Sequence, residues 1–394
     1  MKRILKLIKT DRPKKIFAVS LGHFTNDMFM NLLIPISFMF KASLGLTYAQ
    51  QAMLGTVIIS LGTFPQPLIG YIVDIKGHPY MLIISVMWIG VFTSLTGFID
   101  DYYLLLIVAG IGALASSLYH PLGSSFLINL LGKSKGIGLS VFITVGSIAI
   151  GLAPFIAIPL VTSYGLKSLA LFLIPTILTV FVMLNANIHK STMPNVEIPK
   201  FSLANVKIDK MLWLSSLVGI SVVRNLVTRS FLLVFGMQIL LLKDVGTVSS
   251  GFAVSFIMWS MASGTFVGGF LTDSFTGKFS LNISNIGIAL FTCLLFFSHG
   301  FLAIIAYVFI GFFTGLGNTP NITMAQELIP KNSSTATGLI LGFGGGIGGI
   351  SMYFFGKLAD SVGLNTSLGL LLVPLFFVVI LGLFFPNPKL ISEK

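Results

Sequence analysis

Long apolar runs separated by short polar turns set the plan of this chain. Twelve runs can be marked, at about 16–40, 48–73, 80–99, 103–131, 137–163, 167–187, 211–241, 246–272, 281–299, 301–328, 334–358 and 366–385. Each matches roughly the 20 residues that a helix needs to cross a hydrocarbon core. The longest polar stretch, "NIHKSTMPNVEIPKFSLANVKIDK" at 187–210, leaves six runs on either side. The pattern predicts an all-α membrane protein, twelve transmembrane helices in two six-helix pseudo-repeat domains. The expected parts are a basic tail over 1–15, a domain over 16–187, a linker over 188–210, a second domain over 211–385 and a tail over 386–394.

Composition agrees with the pattern. Hydrophobic residues make up 55% and charged residues 9% of the 394, against roughly 25% charged in a soluble domain. In a soluble protein the net charge of +12 would suggest nucleic acid. Here the cations flank apolar runs, which excludes that class and reads as topology and lipid contact. With a cytoplasmic N-terminus, the tails and even-numbered loops hold 18 of the 24 basic residues; Lys41, Lys167, Lys243 and Lys357 fall outside, and Arg224 and Arg229 inside span 7. The positive-inside rule therefore predicts that both termini face the cytoplasm and that the protein is a multi-pass protein of the cell membrane. The start, "MKRILKLIKTDRPKK", reads as a retained tail and not as a cleaved signal. Cys293 is the only cysteine, so neither a disulfide framework nor a thiolate metal centre is expected.

The two halves repeat. Gly70 and Asp74 in "GYIVDIKGHP" become Gly269 and Asp273 in "GFLTDSFTGK" at an offset of 199. That offset also carries Asn26 onto Asn225 and His120-Pro121 onto Thr319-Pro320. Three coincidences at one ungapped offset point to a duplicated six-helix unit, the parallel repeat of a two-domain transporter.

With those residues in view, the chain resembles the major facilitator superfamily over essentially its whole length. The family signature reads here as Gly70, Asp74 and Gly77, with a degenerate copy at Gly269 and Asp273. The resemblance implies that both copies act as conformational gates, the first against the start of span 11 near Ser333. "HFTNDMF" in span 1 and "SSLYHPLGSS" in span 4 resemble the fosmidomycin-resistance-like branch of drug efflux proteins. The chain departs from other antiporters at Leu106, where an arginine would be expected. The glycine-proline pattern of span 5 survives only as Gly146, Gly151 and Pro154. A small-molecule substrate, protons and the bilayer are the partners this implies, with a monomer as the usual state.

Polar groups inside the apolar runs carry the candidate chemistry. His23 and Asp27 are one helical turn apart on one face of span 1. A charge at mid-membrane costs about 2.5 kcal/mol or more unless it faces protein or water. A carboxylate caught between desolvation and a nearby cation can exchange a proton, so Asp27 is the candidate proton carrier and His23 and His120 its modulators. Arg224 suits an anionic substrate such as a phosphonate or carboxylate. Asn26, Asn225, Arg229, Gln66, Asn318 and Asn321 are candidate wall groups, and Glu327 a candidate gate residue. Gly344, Gly346 and Gly349 match a dinucleotide-binding pattern, but no strand precedes them. No ATP-binding phosphate loop occurs either, so an ion gradient or downhill flow must drive transport. No cofactor, resident metal or enzymatic activity is expected. The reading that follows is a secondary transporter exporting a small anionic or amphipathic compound by proton antiport through alternating access. The alternative is a proton symporter or anion exchanger importing a carboxylate or other small metabolite.

Overall fold

The computed structural model describes residues 12–66, 68–69, 72, 78–131, 135–191, 208–329, 336 and 339–386. Among these the chain is helical between short turns, with no β-strand. The first half contains α1 (Arg12–Met30), α2 (Ser37–Leu44), α3 (Tyr48–Thr63), α4 (Tyr80–Leu95), α5 (Tyr102–Leu131), α6 (Lys135–Tyr164) and α7 (Leu173–Asn185). The second contains α8 (Ile208–Asn225), α9 (Leu233–Leu242), α10 (Thr247–Ser274), α11 (Gly277–Phe297), α12 (Gly300–Leu316), α13 (Asn318–Leu328), α14 (Gly344–Val362), α15 (Leu364–Leu370) and α16 (Leu372–Phe384).

Ten helical stretches of the described residues are long and apolar enough to cross a membrane. The runs expected at 16–40 and 48–73 are not among them. In the first, α1 stops at Met30 and the chain turns through 31–36 before α2. Pro35 accounts for the break, because it lacks an N–H and disfavours helical geometry at Ile34. In the second, α3 ends at Thr63, just before Pro65. Span 7 is also interrupted: a π-helix at Leu226–Leu232 separates α8 from the short α9.

By packing, the chain divides into two compact units, residues 1–33 with 61–199, and residues 34–60 with 200–394. The first unit has a core of Ala18, Val19, Leu82, Val86, Tyr119, Phe126 and Met183. The second has one of Leu214, Leu217, Ile220, Leu281, Met324 and Val378. Glycines replace side chains where helices cross. A Cβ on Gly311 or Gly315 of α12 would strike the backbone of α10, as one on Gly264 or Gly268 of α10 would strike α12. Such close crossings suit helices in lipid, where no hydrophobic effect drives association. Large apolar side chains such as Phe266, Phe301 and Phe384 are left exposed, as expected of surfaces that meet acyl chains.

Candidate functional site

One side of α1 carries His23, Asn26 and Asp27, all buried. The helical period places His23 one turn before Asp27, and their side chains meet at 3.2 Å, Nε2 to Oδ2. From α5, His120 Nε2 reaches Asp27 Oδ1, also at 3.2 Å. Asp27 thus lies between two imidazoles. Its side chain is 10% exposed, that of His23 is 6% and that of His120 is 32%, so His120 is the member open to its surroundings.

Other groups fix this cluster. His23 Nδ1 donates to the Phe142 carbonyl of α6 at 3.0 Å. A carbonyl can only accept, so this nitrogen must carry a proton, and Nε2 is the atom left facing Asp27. The Phe142 ring stacks on the His23 ring at 3.9 Å between centroids. One turn along α6, Gly146 has no side chain, and a Cβ there would stand 2.6 Å from His23 Cε1 and against Asp27 Oδ2. Asn26 Nδ2 donates to Asp27 Oδ1 at 3.3 Å and to Ser116 Oγ at 3.1 Å. Asn26 Oδ1 is buried without a hydrogen-bond partner among the described residues. On α5, Pro121 follows His120 inside the helix, and Ser124 Oγ donates to the His120 carbonyl at 2.8 Å. Ligand atoms of His23, Asp27 and His120 lie within 4.8 Å of one another, a set that could hold a metal ion. At 3.2 Å the two nitrogen–oxygen contacts have the separation of ion pairs, and protons alone would satisfy them.

Arg224 lies in the second unit, at the end of α8, and is 2% exposed. Its Nη1 donates to Ser284 Oγ at 2.7 Å and to Asn285 Oδ1 at 3.3 Å, both on α11, and its Nη2 to the Thr314 carbonyl of α12. Gly317 makes room for the guanidinium, since a Cβ there would overlap it. No carboxylate among the described residues pairs with Arg224. In this conformation the donors named above are spent on neutral acceptors.

The remaining candidates scatter. Asn225 Nδ2 donates back to the Ser221 carbonyl at 2.9 Å, and Gln66 Nε2 to the Gly62 carbonyl at 2.8 Å. Asn321 Nδ2 reaches the Leu217 carbonyl at 3.3 Å and Asn318 Nδ2 the Thr265 hydroxyl at 3.5 Å. Arg229 lies in the π-helix, and its side chain is outside what is described. Asp273 is exposed near the end of α10, with Gly269 one turn earlier; Glu327 is half-buried near the end of α13. Gly70, Asp74 and Gly77 fall outside the described residues. The dinucleotide-like glycines Gly344, Gly346 and Gly349 sit in α14, which follows directly on a π-helix at Leu339–Phe343. A Cβ on Gly344 would stand 2.7 Å from Ser221 Cβ, and one on Gly348 would stand 2.8 Å from Asn225 Cβ. Gly344 and Gly348 thus let α14 approach α8 closely. Sequence reasoning missed Phe142, Gly146, Ser284 and Asn285. Only Gly146 had a signal, as part of the loose span-5 pattern.

The model of the Major Facilitator Superfamily matches residues 19–350. The fosmidomycin resistance protein of Escherichia coli is 25% identical over 378 residues, covering 93% of this chain and 90% of that protein. The uncharacterized MFS-type transporter YfnC of Bacillus subtilis is 25% identical over 387 residues, covering 93% and 91%. Among solved structures, a bacterial homolog of the human lysosomal transporter Spinster has a TM-score of 0.77 at 16% identity, covering 96% of this chain and 97% of that one. A mutant of the nucleoside transporter NupG gives 0.76 at 13% identity, covering 95% and 100%. Likeness at that identity speaks for the fold alone. Motifs, all-helical architecture and family match converge: this chain belongs to the Major Facilitator Superfamily, a family of membrane transporters.

Proposed function

We propose that the protein is a proton-coupled exporter of a small anionic or amphipathic compound, fosmidomycin-like in kind, that works by alternating access at the cell membrane as a monomer. The observation that carries the reading is the placing of Asp27 between His23 and His120. A count of protons gives it chemical content. Three close contacts are each favourable only with a proton between the two atoms: the hydrogen bond of His23 Nδ1 to the Phe142 carbonyl, and the pairings of His23 Nε2 with Asp27 Oδ2 and of His120 Nε2 with Asp27 Oδ1. Two neutral imidazoles and an ionised carboxylate supply only two. The arrangement therefore favours one extra proton, shared between His23 Nε2 and Asp27 Oδ2. Losing it would leave a nitrogen lone pair against a carboxylate oxygen inside a buried site. Gain and loss of that proton thus push on the packing of α1 against α5 and α6, which is what coupling requires.

Arg224 is the anion-binding candidate, and Asn26, Asn225, Arg229, Gln66, Asn318 and Asn321 complete the proposed polar wall. A phosphonate or carboxylate would replace neutral oxygens with charged ones at the Arg224 guanidinium. Gly70, Asp74, Gly77, Gly269, Asp273 and Glu327 are the proposed gate positions. The likeness to the fosmidomycin resistance protein supports export. The apolar Leu106 supports the rival, a symporter or anion exchanger that imports a carboxylate.

The test is proton movement in proteoliposomes loaded with a pH dye, during a substrate screen that includes fosmidomycin. A substrate that drives proton flux in the wild type should drive none in Asp27→Asn, and the relative direction separates antiport from symport. Full coupling in Asp27→Asn would remove Asp27 from the mechanism.

A further inference from the structure

Residues 34–60 belong by sequence to the first group of six spans, yet they pack with the second unit. The start of α3 shows how. A helix leaves its first four N–H groups without intrahelical partners. Here Thr47 and Gln50 cap locally and reciprocally: Gln50 N donates to Thr47 Oγ1 at 3.2 Å, and Thr47 N to Gln50 Oε1 at 2.9 Å. Gln51 N donates to the Thr47 carbonyl at 3.0 Å. Tyr48 and Ala49 remain, and both donate to one carboxylate from the far end of the chain. Asp360 Oδ1 accepts from Tyr48 N at 2.7 Å and Oδ2 from Ala49 N at 2.9 Å. An anion at a helix N-terminus is favoured by the macrodipole as well as by the hydrogen bonds.

The surface that presents Asp360 is built for close approach. Gly349, Gly356 and Asp360 recur at intervals of seven and four, so they share one face of α14. A Cβ on Gly356 would stand 2.6 Å from Ala49 Cα, and one on Gly349 3.0 Å from Ile59 Cγ2. Thr56 Oγ1 donates to the Gly349 carbonyl at 2.8 Å. Gln51 and Gln238 exchange amide hydrogen bonds at 3.0 and 2.9 Å, and Gln51 Nε2 also lies 3.0 Å from Ser37 Oγ. The attachment of 34–60 thus includes exchangeable polar contacts at the start and middle of α3. Water can replace each of them when the surfaces part.

We propose that Asp360 is a detachable cap: it latches the start of α3 to the end of α14, and its release frees residues 34–60 from the second unit during the transport cycle. The proposal rests on alternating access; the measurement needs no transport, so failure of either is told apart. Hydrogen exchange of the purified, detergent-solubilised protein, read on peptides over 46–60, compares the wild type with Asp360→Ala and Asp360→Asn. Losing an N-cap side chain is expected to raise opening about fivefold. The Tyr48 and Ala49 amides and the rest of 50–60 should speed up together in Asp360→Ala and less in Asp360→Asn, which keeps one acceptor oxygen and the fold. Peptides over 102–127 should not change. Faster exchange confined to Tyr48 and Ala49 would make Asp360 a local cap and overturn the latch, as would unchanged exchange in both variants. A second measurement uses Ala52, buried at 0% exposure. In a Cys293→Ser background, the maleimide labelling rate of Ala52→Cys should rise by the same factor with Asp360→Ala and by less with Asp360→Asn, and an unchanged rate in both would also overturn the latch.

Discussion

A methyl group on Gly146 would press on both partners of the His23–Asp27 contact, 2.6 Å from His23 Cε1. Gly146 therefore sets how near α6 comes to the acid–base cluster, and Phe142, one turn earlier, sets the His23 tautomer through its carbonyl. Gly146→Ala should cost about 1–3 kcal/mol, the usual range for overpacking a tight interior, and should uncouple proton movement from substrate movement. Thermal unfolding and the proton-to-substrate ratio would fall together. A variant with an unchanged unfolding midpoint and full coupling would show that α6 can draw back without consequence. The His23–Asp27 pair was legible in the sequence because a four-residue spacing is local. Its attachment to Phe142 was not, because 119 residues separate the two and no linear pattern links them. Arg224 was likewise legible as a cation in an apolar run, while its neutral partners on α11 and α12 were not.

Apolar runs foretold the helices but not their breaks or their crossings. Pro35 explains the turn at 31–36 in retrospect, whereas nothing in "LVTRSFL" announces a π-helix at Leu226–Leu232. Glycines in a helical run have two opposite meanings, and only packing distinguishes them. Gly315 faces the α10 backbone, and a Cβ there would stand 2.7 Å from the Met261 carbonyl carbon. Gly219 of α8 meets nothing within 4 Å. Gly315→Ala should lower the unfolding midpoint or abolish expression, since backbone cannot move aside as a flexible side chain can. Gly219→Ala should be neutral or stabilise by up to about 1 kcal/mol, because alanine is the better helix former. Fluorescence-detected gel filtration after a heating series would compare the two. Equal behaviour would mean that the α10–α12 crossing tolerates more separation than its geometry implies.

At the scale of the molecule, orientation in the membrane follows from the uneven distribution of lysine and arginine, a property of the whole chain and of no single helix. Eighteen of 24 basic residues fall on the side assigned to the cytoplasm, and four on the other. The assignment holds only if the segments alternate as the twelve apolar runs require. The helices of the first two runs are broken at 31–36 and before Pro65, so these runs are the place to test the alternation. Cys293 is the single native cysteine, and Cys293→Ser gives a background in which each added cysteine reports its own side. Lys41→Cys, Lys167→Cys and Lys357→Cys should react with a membrane-impermeant maleimide added to intact cells. Lys190→Cys and Asp273→Cys should react only after the membrane is opened. Lys41 is decisive, because it lies between the first two runs. If Lys41→Cys labels only after permeabilisation while Lys167→Cys labels from outside, 16–40 does not cross. Its ionisable groups His23 and Asp27 would then sit in a re-entrant segment, and the proton path would have to be redrawn from that side.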